Sequence, residues 1–92
     1  MQLSRAEIVA KGVVQGVGFR YFVLSKANNL GLKGYTKNLY TGEVLTVVEG
    51  EKFLIEELID WIKIGPSASR VKSYSVNWFD YKNEFKTFEI RY

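Results

Sequence analysis

The chain has 92 residues, 47% of them hydrophobic and 25% charged, with a formal net charge of +3. That length closes one core and not two, and the composition excludes a disordered chain. The small positive excess suits an anionic ligand but falls well short of the charge of a strong nucleic-acid binder.

Cysteine and histidine are both absent. Disulfides, thiolate nucleophiles and cysteine zinc sites therefore drop out, as do the commonest general acid–base and the commonest metal ligand. The first residues, MQLSRAEIVAKG, lack the apolar core of a signal peptide, and no segment approaches a membrane span. The expectation is one cytoplasmic domain over residues 1–92.

Residues 6–14, AEIVAKGVV, alternate loosely and predict a strand. The run GVVQGVGFR (12–20) follows on. Beyond it Phe19, Phe22, Val23, Ala27 and Leu30 recur at three- and four-residue spacing, the apolar stripe of an amphipathic helix, and Gly31 stands where a C-terminal cap is expected. LKGYTKN (32–38) and EVLTVVEG (43–50) predict two strands joined by a turn at Tyr40-Thr41-Gly42. EKFLIEELIDWIKIG (51–65) is the plainest helix: Leu54, Ile55, Leu58, Ile59 and Ile62 share a face, and Gly65-Pro66 stops it. VKSYSVNWF (71–79) and KTFEIRY (86–92) complete the set as strands. The order β-α-β-β-α-β plus a terminal strand predicts a ferredoxin-like α+β sandwich, two helices on one face of an antiparallel sheet with an extra C-terminal strand.

The glycine run joins a strand to a helix. A helix N-terminus presents unpaired N–H groups and partial positive charge, which together attract anions. Gly16 and Gly18 allow backbone angles closed to other residues, so successive N–H groups of residues 15–20 (Gln15, Gly16, Val17, Gly18, Phe19, Arg20) can turn inward. Arg20 adds a planar fork matched to phosphate oxygens. The same residues also suit an ordinary turn with a solvated arginine, and Gln15 suits a hydrogen bond within the loop. In cysteine-dependent phosphatases a cysteine stands six positions before the loop arginine. Val14 stands there in this chain, so if Arg20 holds a phosphoryl group the loop carries no nucleophile and water must attack.

Asn38 ends its strand at a turn, a common place for an asparagine bonding locally. Its amide could equally orient a water without taking its proton. Such modest groups suit a substrate with a good leaving group. A carboxylate, whose acid has a pKa of roughly 4, leaves far more readily than an alkoxide. An acyl phosphate therefore asks mainly for positioning and charge stabilisation on the phosphoryl oxygens.

GVVQGVGFR and GYTKN (34–38) resemble the two signatures of the acylphosphatases, in the right order and across nearly the whole chain. The resemblance implies a hydrolase of carboxyl–phosphate bonds that uses no metal or other cofactor and forms no covalent intermediate. It implies that Arg20 and the amides of residues 15–20 bind the phosphoryl group and that Asn38 positions the water. The implied partner is a small acyl phosphate of the acetyl, carbamoyl or bisphosphoglycerate type, acted on by a monomer without nucleic acid or membrane. Thr36 and Tyr35 depart from the commoner valine and tryptophan; Thr36 brings a hydroxyl, so less apolar neighbours are expected. Two alternatives stand beside this reading: a domain that binds phosphate without turnover, and an RNA-binding module using KGYTKNLY (33–40) as a stacking strand. Against the second, the other aromatics are more simply read as core.

Overall fold

The structure, a computed structural model, describes residues 2–92. Strand β1 (Leu3–Val13) leads through the glycine run into helix α1 (Phe19–Asn29). Strands β2 (Lys33–Asn38) and β3 (Val44–Glu51) form a hairpin, helix α2 (Lys52–Ile64) follows directly, and β4 (Arg70–Asp80) and β5 (Phe88–Arg91) close the chain. Each element lies within a few residues of its expected place.

Alternation assigns the two faces of the sheet. Ala6, Ile8 and Ala10 of β1 and Val44 and Val48 of β3 are buried in one core with Phe19, Val23 and Ala27 of α1 and Ile55, Leu58, Ile59 and Ile62 of α2. Burying each such leucine or isoleucine stabilises the fold by about 1.5–3 kcal/mol. The stripe on α1 is narrower than its spacing suggests: Phe22 and Leu30 are only half-buried. Phe22 instead meets Trp61 of α2 edge-on at 6.3 Å. Thr36 faces the core, and its hydroxyl lies 3.0 Å from that of Thr46, so the polar neighbour expected there is present.

The strand order is β4-β1-β3-β2-β5. The first four strands pair antiparallel as expected, whereas β5 joins β2 in parallel and makes the sheet mixed. To travel from one edge to the other, residues 81–87 cross the face opposite the helices. Glu49 holds them there. Its carboxylate, only 1% exposed, accepts from Lys82 N–H at 2.7 Å and from Glu84 N–H at 2.9 Å. Arg5 bridges Glu49 and Glu84 at 3.4 and 2.7 Å, under the ring of Phe85.

As an edge strand, β4 does not contribute its aromatics to the core in the way the sequence suggests. Tyr74, Trp78 and Phe79 are all exposed. Lys63 and Lys52 cover two of these rings, at 5.4 Å from Tyr74 and 5.2 Å from Trp78.

Candidate active site

Strand β1 delivers the glycine run to the N-terminus of α1. Gly16 has φ 74° and Gly18 has φ 76°, both left-handed, while Val17 between them does not. Such alternation turns consecutive N–H groups toward one concave side, the arrangement that receives anions. A Cβ added to either glycine would touch nothing within 4 Å. Their requirement is therefore backbone angle and not space.

Gly18 caps α1 without any side-chain bond, and no acidic residue lies in the first turn. Among the described residues, no backbone carbonyl accepts from the N–H groups of residues 15–20. Six donors thus remain available where the helix dipole is positive. Phe19, inside the run, is 2% exposed and anchors the loop to the core by its side chain.

Arg20 is half-buried, and its guanidinium sits 4.9 Å above the ring of Tyr92. It makes no ion pair among the described residues. Its charge is uncommitted to any carboxylate, and Tyr92 restricts where the fork can swing.

Gln15 does not bond within its own loop. Its Nε2 donates across to the β2–β3 hairpin, to the Leu39 carbonyl at 2.8 Å and the Glu43 carbonyl at 2.9 Å. The glycine loop is thereby tied to the turn that follows Asn38. Asn38 Oδ1 is closed to solvent and accepts no hydrogen bond, the sole such buried side-chain atom among the described residues. Buried acceptors without a donor are rare because each costs about 1–3 kcal/mol.

An open groove of about 440 Å³ lies beside the loop, lined by Gln15, Lys37, Asn38, Leu39, Tyr40 and Tyr92. Gln15 and Asn38 therefore share one wall system. Arg20 borders it through Tyr92, while Gly16, Val17, Gly18 and Phe19 form the adjoining loop and not the lining. Sequence reasoning missed Tyr92, Tyr40 and Lys37. Tyr92 read only as the end of an alternating strand, and no local signal links it to Arg20.

The strand KGYTKNLY is not laid out for base stacking. It lies between β3 and β5, and the Tyr35 ring meets Phe85 edge-on at 5.8 Å with the Arg91 guanidinium 4.1 Å away.

By architecture this is a ferredoxin-like α+β protein with a loop of unpaired backbone amides between its first strand and first helix. The acylphosphatase family model matches residues 6–90. The acylphosphatase of Caldanaerobacter subterraneus subsp. tengcongensis is 48% identical over 79 residues, covering 86% of this chain and 88% of that one. That of Aeropyrum pernix is 48% identical over 91 residues, covering 98% and 90% respectively. The crystal structure of acylphosphatase from Bacillus subtilis matches with a TM-score of 0.93 at 34% identity, across 99% of this chain and 100% of that one. The chain belongs to the acylphosphatase family and, with it, hydrolyses acyl phosphates.

Proposed function

We propose that Arg20 and the N–H groups of residues 15–20 hold the phosphoryl group while Asn38 positions the attacking water, with no metal and no covalent intermediate. The observation that carries this reading is the set of loop amides left without acceptors at the start of α1. The water oxygen bonds to phosphorus as the bond from phosphorus to the carboxyl oxygen breaks. The bonding pair leaves on the carboxylate, and the water's proton passes to a phosphoryl oxygen, so the products are carboxylate and inorganic phosphate. Charge on the phosphoryl oxygens is met by amides and a guanidinium already in place.

Asn38 suits the water because its Oδ1 lacks a donor. The terminal torsion of an asparagine is soft, so the amide can turn this oxygen toward the groove, where a water would donate to it. The amide fixes that water's direction without removing its proton.

The enzyme works as one domain and as a monomer in the cytoplasm, on a small acyl phosphate of the acetyl, carbamoyl or bisphosphoglycerate type. Among the described residues no helix is long and apolar enough to cross a membrane. The decisive test is hydrolysis of benzoyl phosphate in excess EDTA by wild type, Arg20→Gln and Asn38→Ala. Turnover in EDTA, reduced on the order of a hundredfold or more in each variant, is expected from loss of one charge-stabilising or orienting group. Full activity in either variant would remove that residue's role, and loss of wild-type activity in EDTA would require a metal.

A further inference from the structure

The two edges of the sheet are unequal. At one edge β5 is four residues long and carries Glu89 and Arg91, and short charged edges resist pairing with another chain. At the other, β4 is eleven residues long and is paired on its inner side alone, to β1. Its register against β1 runs unbroken from Asp80 to Ser73 and slips only beyond it, at Lys72. The stretch from Ser73 to Asp80 is therefore a regular strand whose outer row of N–H and C=O groups has no ladder partner.

The pairing with β1 fixes which way these side chains point. Tyr74, Val76 and Trp78 stand opposite Ala10, Ile8 and Ala6, which face the helices, so they lie on the helix side at the border of the sheet. There they line a shallow trough of about 380 Å³ with Glu56, Ile59 and Asp60 of α2. Tyr74 and Trp78 are exposed, as is Phe79 on the opposite face. Exposed rings along an open edge are the reverse of the usual protection. Lys72 and Asp80, at the two ends of the stretch, make no ion pair among the described residues.

An antiparallel strand of the same sequence complements this stretch. With Val76 opposite Val76 of a second copy, Tyr74 stands opposite Trp78, Ser75 opposite Asn77, Ser73 opposite Phe79 and Lys72 opposite Asp80. Every pair but the central one occurs twice about the two-fold axis, as a closed dimer requires. Aromatic pairs and opposite charges are the cross-strand combinations that stabilise a sheet. Centring on Asn77 instead would set Tyr74 against Asp80, and centring on Ser75 would run the pairing through the slip at Lys72.

We infer that β4 is an interaction surface for a second copy of this chain, the two β4 strands pairing antiparallel about Val76 into one continuous sheet. A net charge of +3 on each copy opposes the pairing, as do the lysines that lie over Tyr74 and Trp78. Association is therefore reversible, with a dissociation constant on the order of 10–100 μM, at the weak end of specific interfaces. No residue of the groove or of the glycine loop belongs to β4, so each copy keeps its own site and the single chain remains the catalytic unit.

The test is sedimentation equilibrium of wild type up to about 500 μM, where a monomer–dimer equilibrium is expected. Asp80→Lys sets lysine against lysine at both ends of the ladder and should weaken association about tenfold. Adding Lys72→Asp to that variant restores both pairs and should recover most of the loss. Both positions are exposed, so this arm does not depend on the core. The register is read separately. The chain has no cysteine, so Val76→Cys and Ser73→Cys each introduce a single thiol. Opposed strand residues have Cβ atoms about 4.5–5.5 Å apart, so mild oxidation should link Val76→Cys into a covalent dimer. Ser73→Cys, six residues out of register with its own copy, should stay unlinked. Wild type that remains monomeric throughout, association unaffected by Asp80→Lys, no recovery in the double variant, or equal linking at both cysteine positions would each overturn the inference.

Discussion

The side-chain amide of Gln15 is hydrogen-bonded to the carbonyl of Leu39 at 2.8 Å, which ties the loop before α1 to the turn after β2. A second bond from the same nitrogen, to the Glu43 carbonyl at 2.9 Å, closes the bridge. Asn38 immediately precedes Leu39, so this bridge sets how far the amide proposed to position water lies from the loop proposed to hold the phosphoryl group. Errors of an ångström in such a distance can cost a hundredfold in rate.

Gln15→Met keeps the length of the side chain and removes both donors. We expect a stability loss of about 1–2 kcal/mol, from two part-buried bonds, and a kcat lowered on the order of tenfold. Gln15→Glu should be worse on both counts, because a carboxylate would face two carbonyl oxygens and the substrate phosphoryl group. Urea denaturation and benzoyl phosphate kinetics on the two variants measure this. Wild-type kcat in Gln15→Met would show that the bridge is structural only.

Two glycines separate backbone angle from space. At Gly18 an alanine has room but inherits φ 76°, a left-handed angle costing about 1–2 kcal/mol for a residue with a Cβ. Gly18→Ala should therefore fold and bind inorganic phosphate more weakly. At Gly34 an added Cβ would stand 1.9 Å from the Val47 carbonyl oxygen, inside the β2–β3 ladder. Gly34→Ala should fail to form a native near-ultraviolet circular dichroism spectrum. Phosphate titration followed by tryptophan fluorescence distinguishes the two; unchanged phosphate affinity in Gly18→Ala would remove the loop's special angle from binding.

Glu49 makes stability depend on acid. Burial pushes its pKa up from the ordinary 4.5, but the N–H groups of Glu84 and Lys82, and then Arg5, outweigh burial and leave it lowered. A carboxyl whose folded pKa is depressed stabilises the fold above its unfolded pKa and loses that contribution as pH falls through the folded one. Unfolding free energy should therefore be level through neutral pH in this respect and decline below about pH 4.5. Glu49→Gln should lose on the order of 3 kcal/mol at pH 7, because it removes the buried charge beside Arg5, which keeps only Glu84, and leaves one strap amide without its acceptor, and it should flatten the acid decline. Urea midpoints from pH 3.5 to 7 measure both, and an unchanged acid slope in the variant would assign that slope to other carboxylates. Because the strap leads into β5 and Tyr92, the same variant should also loosen the stacking on Arg20.

Much of this protein follows from short-range rules acting along the chain. Alternation in β1 and β3, the apolar face of α2, its stop at Gly65-Pro66 and the loop Gly16-Val17-Gly18 depend on side-chain period and on φ preferences within a few residues. Those are properties of a local segment, so they can be read before any folding. The order of the elements then restricts the topology to few choices, and the signatures around Arg20 and Asn38 mark the proposed site. What local pattern could not supply is partnership between distant segments. Whether KTFEIRY pairs at an edge, and in which direction, depends on Glu49 and Arg5 capturing residues 81–87 from across the sheet. The stacking of Tyr92 on Arg20 and the reach of Gln15 to the hairpin both follow from that crossing and from the hairpin's register. Each is a contact between segments far apart in sequence, and its geometry exists only once the core has closed.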